Sequence, residues 1–227
     1  LDGDGLDDVV TSHMAIDGIG QAFVVYGEDD VGRSDVDLDT LPAGTGFTAF
    51  PAGAVAAAGD IDGDGFGDLV LGDPTIGGEP FRAPAGDPAF RGGAHVLFGT
   101  ADDVASPLAL TELDGVDGFT FDGGVGGESL GLSVSGAGDV DCDGFDDVLV
   151  GGGEAGRAYL IFGDDEPFDA VVTPDDLNDG RGVRFVGEGG DVARAGDVDG
   201  DGLDDFVVNG GRLVFGSRAF DPVVAVD

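Results

Sequence analysis

The 227-residue chain sets 47 acidic side chains against nine basic ones, all arginine, for a formal net charge of −38. That balance excludes nucleic acid and anionic membrane as partners, since both are held through Lys/Arg patches that displace counterions. A hydrophobic content of 41% is too high for disorder, 46 Gly and 10 Pro make the chain turn-rich, and a single Cys leaves no intrachain disulfide.

The chain opens inside an acidic motif, Leu1-Asp2-Gly3-Asp4-Gly5-Leu6-Asp7-Asp8, and runs into the apolar Val9-Val10. A second apolar run, Ala22 to Gly27, closes on aromatic-Gly, and a polar stretch leads to Gly46-Phe47. The order then repeats. Small residues from Ala54 to Gly59 lead into Asp60-Ile61-Asp62-Gly63-Asp64-Gly65-Phe66-Gly67-Asp68, followed by Leu69 to Leu71. A Pro/Gly-rich insertion from Pro74 to Pro88 reads as an extended loop; Ala94 to Gly99 and Gly118-Phe119 complete the unit. The third unit runs from Leu132 to Gly138 into Asp139-Val140-Asp141-Cys142-Asp143-Gly144-Phe145-Asp146-Asp147, then Val148 to Val150, Ala158 to Gly163 and Val183-Arg184-Phe185. The fourth has Asp197-Val198-Asp199-Gly200-Asp201-Gly202-Leu203-Asp204-Asp205, Phe206 to Val208 and Arg212 to Gly216.

Runs of four to six residues rich in Val and aromatics, bounded by Gly and Asp, read as strands, and no capped helical stretch of useful length occurs. Four short strands in each repeat of about 60 residues are the pattern of a β-propeller blade, so the predicted fold is all-β, with about four four-stranded blades. The whole chain, 1–227, is one such region, with repeats at approximately 1–50, 51–121, 122–186 and 187–227. The first lacks the strand before its acidic loop, and the last stops before its Phe-centred strand.

The pattern Asp-x-Asp-x-Asp-Gly-x-x-Asp gathers hard oxygen donors around a tight turn, and calcium takes six to eight oxygens at flexible geometry. The expected carboxylate ligands are Asp60, Asp62, Asp64 and Asp68; Asp139, Asp141, Asp143 and Asp147; and Asp197, Asp199, Asp201 and Asp205. The spacing assigns a backbone carbonyl to position seven, at Phe66, Phe145 and Leu203. The cut motif keeps Asp2, Asp4 and Asp8, with Leu6 at position seven, and is expected to be a weaker fourth site. Fifteen of the 40 Asp sit at these positions, and the remaining acid is excess surface charge. A calcium-rich or salty extracellular medium accounts for that excess; a halophile surface has the same composition. Competing readings are a solvated acidic turn, or the loop of an EF-hand or dockerin. An EF-hand requires flanking helices and a bidentate acid at position twelve, where this chain has Leu71, Val150 and Val208.

In the order Gly131-x-Ser133-Val134, Gly136-Ala137-Gly138-Asp139, Asp147-Val148-Leu149-Val150-Gly151 and Tyr159-Leu160-Ile161-Phe162-Gly163, the chain resembles the FG-GAP repeat of integrin α-subunit propellers and their bacterial relatives. The likeness covers nearly the whole chain. Departures are Gly72-Asp73-Pro74 and Gly151-Gly152-Gly153 where the repeat has Gly-Ala-Pro, and Cys142 where the other loops have Gly, a strained choice if that turn needs positive φ. The resemblance implies a calcium-stabilised, extracellular or cell-surface adhesion and recognition module with a protein or glycan ligand, and no enzyme activity. It also implies a part of a seven-bladed ring, completed by further blades or by another chain. The competing expectation is an accessory or catalytic propeller domain of a secreted polysaccharide- or lipid-degrading enzyme. With no Lys or Trp, two His and two Tyr, the chain is poor in the residues such a site uses.

Other motifs have plainer readings. Gly127-Glu128-Ser129-Leu130-Gly131 matches a nucleophile elbow, but both histidines, His13 and His95, lie upstream and a strand follows. Gly151 to Gly156 matches a dinucleotide-binding glycine pattern, but Arg157 to Phe162 reads as strand, so a hairpin turn is expected. His13 and His95 are expected to be structural. Cys142, among acidic neighbours that raise a thiol pKa, is expected to be inert or weakly accessible. No His/Cys cluster suggests zinc. No run of 18 apolar residues and no signal peptide occurs, so membrane insertion is not expected.

Overall fold

Each acidic turn is followed by a continuous apolar run, which suits a strand buried on both faces. The computed structural model describes residues 1–14, 20–29, 35–77, 91–102, 104–124, 129–152, 156–187 and 190–226. Among these the structure is strand, with three short 3-10 turns (Leu38–Thr40, Leu110–Glu112 and Asp176–Asp179) and no α-helix. The first repeat supplies β1 (Val9–Met14), β2 (Gly20–Val25) and β3 (Gly46–Phe50). The second supplies β4 (Ala54–Gly59), β5 (Asp68–Asp73), β6 (Gly93–Leu97), β7 (Leu108–Ala109) and β8 (Gly118–Asp122). The third has β9 (Ser133–Gly138), β10 (Asp147–Gly152), β11 (Arg157–Ile161), β12 (Val171–Val172) and β13 (Gly182–Gly187). The fourth has β14 (Val192–Gly196), β15 (Asp205–Val208), β16 (Arg212–Val214) and β17 (Val223–Val226). Most of the Pro74 to Pro88 insertion lies outside the described residues.

The strands form four sheets, in the orders β1-β2-β3-β7, β4-β5-β6-β8-β12, β9-β10-β11-β13-β17 and β14-β15-β16. Within each, successive strands of one repeat pair antiparallel, as short hairpin connections require. β1, β4, β9 and β14 lie side by side in chain order, so the sheets follow one another face to face. The described residues close no barrel or ring.

Four strands per sheet is not the whole count. β7, β12 and β17 each leave their own repeat and pair parallel with the last strand of the preceding one, β3, β8 and β13. Repeat boundaries in sequence therefore do not coincide with sheet boundaries. The crossing segments carry apolar anchors: Phe168 stacks on Phe119 with ring centroids 4.5 Å apart, and Leu177 is buried beside them. Leu110 and Phe220 do the same at the other two junctions.

The core is correspondingly divided into three layers, one at each junction. Leu69 and Leu71 join Val24 and Phe47 between the first two sheets. Val148 and Val150 join Val70 and Phe121 in the next, and Phe206 and Val208 join Leu149 and Phe185 in the last. The second strand of a repeat thus packs one face backward and one forward, which is why β5 and β10 are buried at every residue.

Candidate metal centres

All three complete acidic loops share one fold, set by the residue types at fixed positions. A bulge in the entering strand falls at Ala58, Ala137 and Ala195, just before each loop. Gly63 and Gly200 at position four have φ of 73° and 81°, and Gly65, Gly144 and Gly202 at position six have 92°, 102° and 91°. Cys142 takes the same left-handed turn at φ 63°, so this non-glycine residue is held where L side chains are disfavoured. In the first two loops a side chain there would strike the position-seven ring of the next repeat: a Cβ on Gly63 would meet Phe145, and one on Gly3 would meet Phe66, whereas one on Gly200 would meet nothing within 4 Å. After Cys142 the next position seven is Leu203, a smaller group.

Inside each loop the carboxylates organise the backbone. At position five, Asp4, Asp64, Asp143 and Asp201 accept the position-seven amide through Oδ1 at 2.8, 2.8, 3.0 and 2.9 Å. At position one, Asp60, Asp139 and Asp197 accept the Gly amide of position six through Oδ2 at 3.1, 3.1 and 3.0 Å. At position nine both oxygens are engaged. Oδ2 of Asp68, Asp147 and Asp205 takes the amide of Ile61, Val140 and Val198 at 2.7, 2.8 and 2.7 Å. Oδ1 takes the amide of Gly99, Gly163 and Gly216 at 2.8, 3.0 and 2.8 Å. The cut motif keeps this arrangement: Gly27 donates to Asp8 Oδ1 at 2.8 Å, and the Leu1 nitrogen lies 3.1 Å from Asp8 Oδ2.

The result is three groups of converging carboxylates, Asp60/Asp62/Asp68, Asp139/Asp141/Asp147 and Asp197/Asp199/Asp205, each offering oxygens within 4.8 Å of one another. Among the described residues Asp2, Asp4 and Asp8 make no such group, and the position-five carboxylates stand outside the three. Burial, opposed by two amide hydrogen bonds and reinforced by the neighbouring carboxylates, pushes Asp68 up to about 7 and Asp147 up to about 8. Burial and the charges of Asp143 and Asp139 push Asp141 up to about 6. Asp62 and Asp143 rise as well, desolvation first. Asp60 Oδ1 and Asp141 Oδ1 are buried acceptors without a hydrogen-bond partner. An all-oxygen donor set with buried, unpartnered acceptors fits a hard cation. Each of the three triads could hold a metal ion.

The loops are also joined to one another. The amides of Asp146 and Asp204 donate to the position-one carbonyls of Asp60 and Asp139 in the preceding loop, at 3.0 and 3.2 Å. Thr100, Asp164 and Ser217, each following the aromatic-Gly pair, donate to the position-two carbonyls of Leu1, Ile61 and Val140 at 2.9, 3.0 and 2.8 Å. Asp146 adds its carboxylate, accepting the Asp60 amide at 3.0 Å. All four acidic loops therefore lie along one rim, connected by backbone hydrogen bonds. The sequence pattern located the loops, but it held no sign of this inter-loop ladder, which depends on which repeats are spatial neighbours.

Elsewhere, His95 is 1% exposed, with Nδ1 2.9 Å from Thr120 Oγ1 and Nε2 3.5 Å from Asp73 Oδ2, a structural placement. His13 is exposed at the end of β1. Cys142 is exposed, 3.1 Å from Arg218 Nη2, which corrects the expectation of a weakly accessible thiol: the turn lifts its side chain away from the core. Of the elbow-like motif, Gly127 and Glu128 lie outside the described residues; Ser129 has φ 49° and a strand, not a helix, follows. In the glycine run Gly151 to Gly156, residues 153–155 also lie outside, and β10 and β11 flank them as an antiparallel pair. No helix among the described residues is long and apolar enough to cross a membrane. The chain matches no protein-family model and no curated protein.

Proposed function

We propose that the chain is a calcium-binding recognition module, an open arc of four blades of the FG-GAP propeller type, working outside the cell or on its surface. The observation that carries the reading is the convergence of three carboxylates in each complete loop, three times over on one rim. Calcium, rather than a transition metal, suits a donor set with no imidazole or thiolate and room for carbonyl and water oxygens. Asp64, Asp143 and Asp201, the carbonyls of Phe66, Phe145 and Leu203, and water complete the shells; Asp2, Asp4, Asp8 and the Leu6 carbonyl form the weaker fourth site. The metals fix the rim, and the fixed rim and sheet edges present a surface to a protein or glycan. The net charge of −38 supports a partner reached through calcium or through uncharged contacts rather than an anionic one.

The test has two stages. Calorimetric titration of the metal-free chain is expected to give calcium binding well above magnesium, because magnesium dehydrates reluctantly and demands octahedral geometry. Equal affinities, or none, remove the calcium reading. Immobilised chain is then exposed to extracellular-matrix preparations with calcium or with chelator. Calcium-dependent capture that is lost after protease treatment identifies a protein ligand, and loss after glycan removal identifies a glycan. Capture indifferent to calcium refutes the module.

A further inference from the structure

Position eight of the acidic motif lies outside the ligand set of its own loop, yet the third and fourth repeats carry Asp146 and Asp204 there, against Gly67 in the second. Asp146 reaches back to the loop before it. Its amide donates to the Asp60 carbonyl at 3.0 Å, and its Oδ2 accepts the Asp60 amide at 3.0 Å. Both backbone groups of the position-one residue are thus held by a single residue of the next loop. Gly59 leaves the space for this, since a Cβ there would overlap the Asp146 carboxylate.

Asp146 stands between two residues of the third-repeat site. Before it is Phe145, whose carbonyl is expected at that site and whose ring covers Gly63 of the second-repeat loop. After it is Asp147, whose Oδ1 takes the Gly163 amide at 3.0 Å. The next amide, that of Asp164, donates to the Ile61 carbonyl at 3.0 Å. Directly or through Gly163 and Asp164, residues 145 to 147 therefore bear on positions one, two and four of the preceding loop. What they hold is a ligand residue. Asp60 groups with Asp62 and Asp68, its Oδ2 takes the Gly65 amide at 3.1 Å, and its Oδ1 is buried without a hydrogen-bond partner. The next junction has only half of this clamp. The Asp204 amide reaches the Asp139 carbonyl at 3.2 Å, but Asp204 Oδ2 is turned to Arg194 Nη2 at 2.8 Å.

Resting on calcium as the occupant of both loops, we propose that Asp146 is a positioning residue for the second-repeat site and couples it to the site in its own loop. An ion in the third-repeat loop fixes residues 145 to 147 and, with them, the backbone of Asp60. The second-repeat loop then has less left to order when its own ion binds, which is positive cooperativity. The coupling is reciprocal: each ion raises the affinity for the other by the same factor. A filled loop is also less negative than an empty one, which works against the second ion. Salt weakens that opposing effect but leaves the hydrogen-bonded clamp in place.

Calcium calorimetry on the whole chain in physiological salt tests this, with Asp197→Asn and Asp199→Asn present throughout to empty the fourth-repeat loop. Adding Asp60→Asn with Asp62→Asn leaves the third-repeat site alone; adding Asp139→Asn with Asp141→Asn leaves the second-repeat site alone. The protein that keeps both is expected to bind the two ions about fivefold or more tightly than the product of the single-site constants. Asp146→Ala should abolish that excess while the third-repeat site alone keeps its affinity. Asp146→Asn, which retains an acceptor oxygen for the Asp60 amide, should preserve it. With the second-repeat loop emptied instead, the third- and fourth-repeat pair should show a smaller excess, because Asp204 lacks the carboxylate half of the clamp. Single-site proteins that bind no calcium overturn the metal reading and the coupling with it. Calcium binding without the excess overturns the coupling alone, as does an excess that survives Asp146→Ala, an equal loss in the Ala and Asn variants, or an equal excess in the third- and fourth-repeat pair.

Discussion

Asp68 and Gly99 stand 31 residues apart in the chain, yet Asp68 Oδ1 accepts the Gly99 amide at 2.8 Å while its other oxygen takes the Ile61 amide at 2.7 Å. One carboxylate thereby ties the start of an acidic loop, the strand that leaves it and the end of the following strand. The same two bonds recur at Asp147 with Gly163 and Val140, and at Asp205 with Gly216 and Val198. The aromatic-Gly ending and the ninth-position Asp are therefore two parts of one device. The glycine is required by space as well: a Cβ on Gly163 would lie 2.5 Å from the Asp146 carbonyl and 2.6 Å from Phe145 Cβ.

Gly163→Ala is accordingly expected to destabilise the fold by about 1–3 kcal/mol, the usual cost of forcing a methyl group into a filled site. Gly67→Ala is the control, since the nearest atom to its added Cβ is 3.8 Å away. It should fall within about 0.5 kcal/mol of wild type. Denaturant unfolding in calcium measures both, and equal effects would remove the steric argument.

Cys142 should be a strained residue whose neighbour has adapted. With φ 63°, Cys142→Gly is expected to stabilise by about 1 kcal/mol, the lower end of the cost of a left-handed non-glycine residue. Leu203→Phe alone should destabilise, because the Phe at this position in the second and third repeats covers a bare glycine. Combined with Cys142→Gly it should be tolerated. Strict additivity in that double-mutant cycle would sink the idea that the two positions are coupled.

The acidic loops and the main strands were legible because each rests on local chemistry: alternating carboxylates around Gly63-Asp64-Gly65, and apolar runs such as Leu69 to Leu71 between turns. The positive φ at Cys142 could be anticipated for the same reason. The crossing strands could not. β7 and β12 are two residues long, too short for any periodicity, and their partners lie in another repeat. Nor did the loop pattern reveal that position five, at Asp64, turns one oxygen to the Phe66 amide instead of joining the tightest carboxylate group.

Metal-free protein should be more stable at acid pH than at alkaline pH. Asp68 and Asp147 are raised by burial to about 7 and about 8, so the folded form binds their protons more tightly than the unfolded chain does. That contribution is full below the ordinary carboxylate range and is lost as pH rises through about 7 to 8. Asp122, held low by its hydrogen bonds to Arg91 and Gly124 against the opposing effect of burial, acts in the opposite sense, but only at more acid pH. Calcium needs both buried carboxylates ionised, so its stabilising increment should widen over the same window. Unfolding in chelator and molar NaCl, which screens the general repulsion, gives the metal-free slope. Greater metal-free stability at about pH 9 than at about pH 5 contradicts the placement of these groups.

Calcium titration of this stretch by calorimetry should resolve at most three comparable sites, since among the described residues Asp2, Asp4 and Asp8 make no converging group. Asp139→Asn, which removes the charge of the position-one ligand with almost no change in size, should remove one site and leave the other two. Four equal sites in the wild-type chain would contradict the geometry, as would a variant that still binds three.

Removal of metal should cost the fold more than any single substitution. Each complete loop holds like charges a few ångströms apart, a repulsion that opposes the folded turn unless a cation is present. Binding only to the folded loop adds RT ln(1 + [L]/Kd), about 2.7 kcal/mol per site at a hundredfold excess over Kd. Three such sites rival the ~5–15 kcal/mol net stability of an ordinary domain. Molar NaCl relieves the diffuse repulsion of a −38 chain but supplies no ion at the centre of the Asp60, Asp62 and Asp68 group. Melting in chelator, in chelator with molar NaCl and in millimolar calcium should therefore rank calcium highest and plain chelator lowest, with the salt sample between. If NaCl restores stability as fully as calcium does, the loops are acidic turns with no resident ion, and the surplus aspartate is an adaptation to a salty medium.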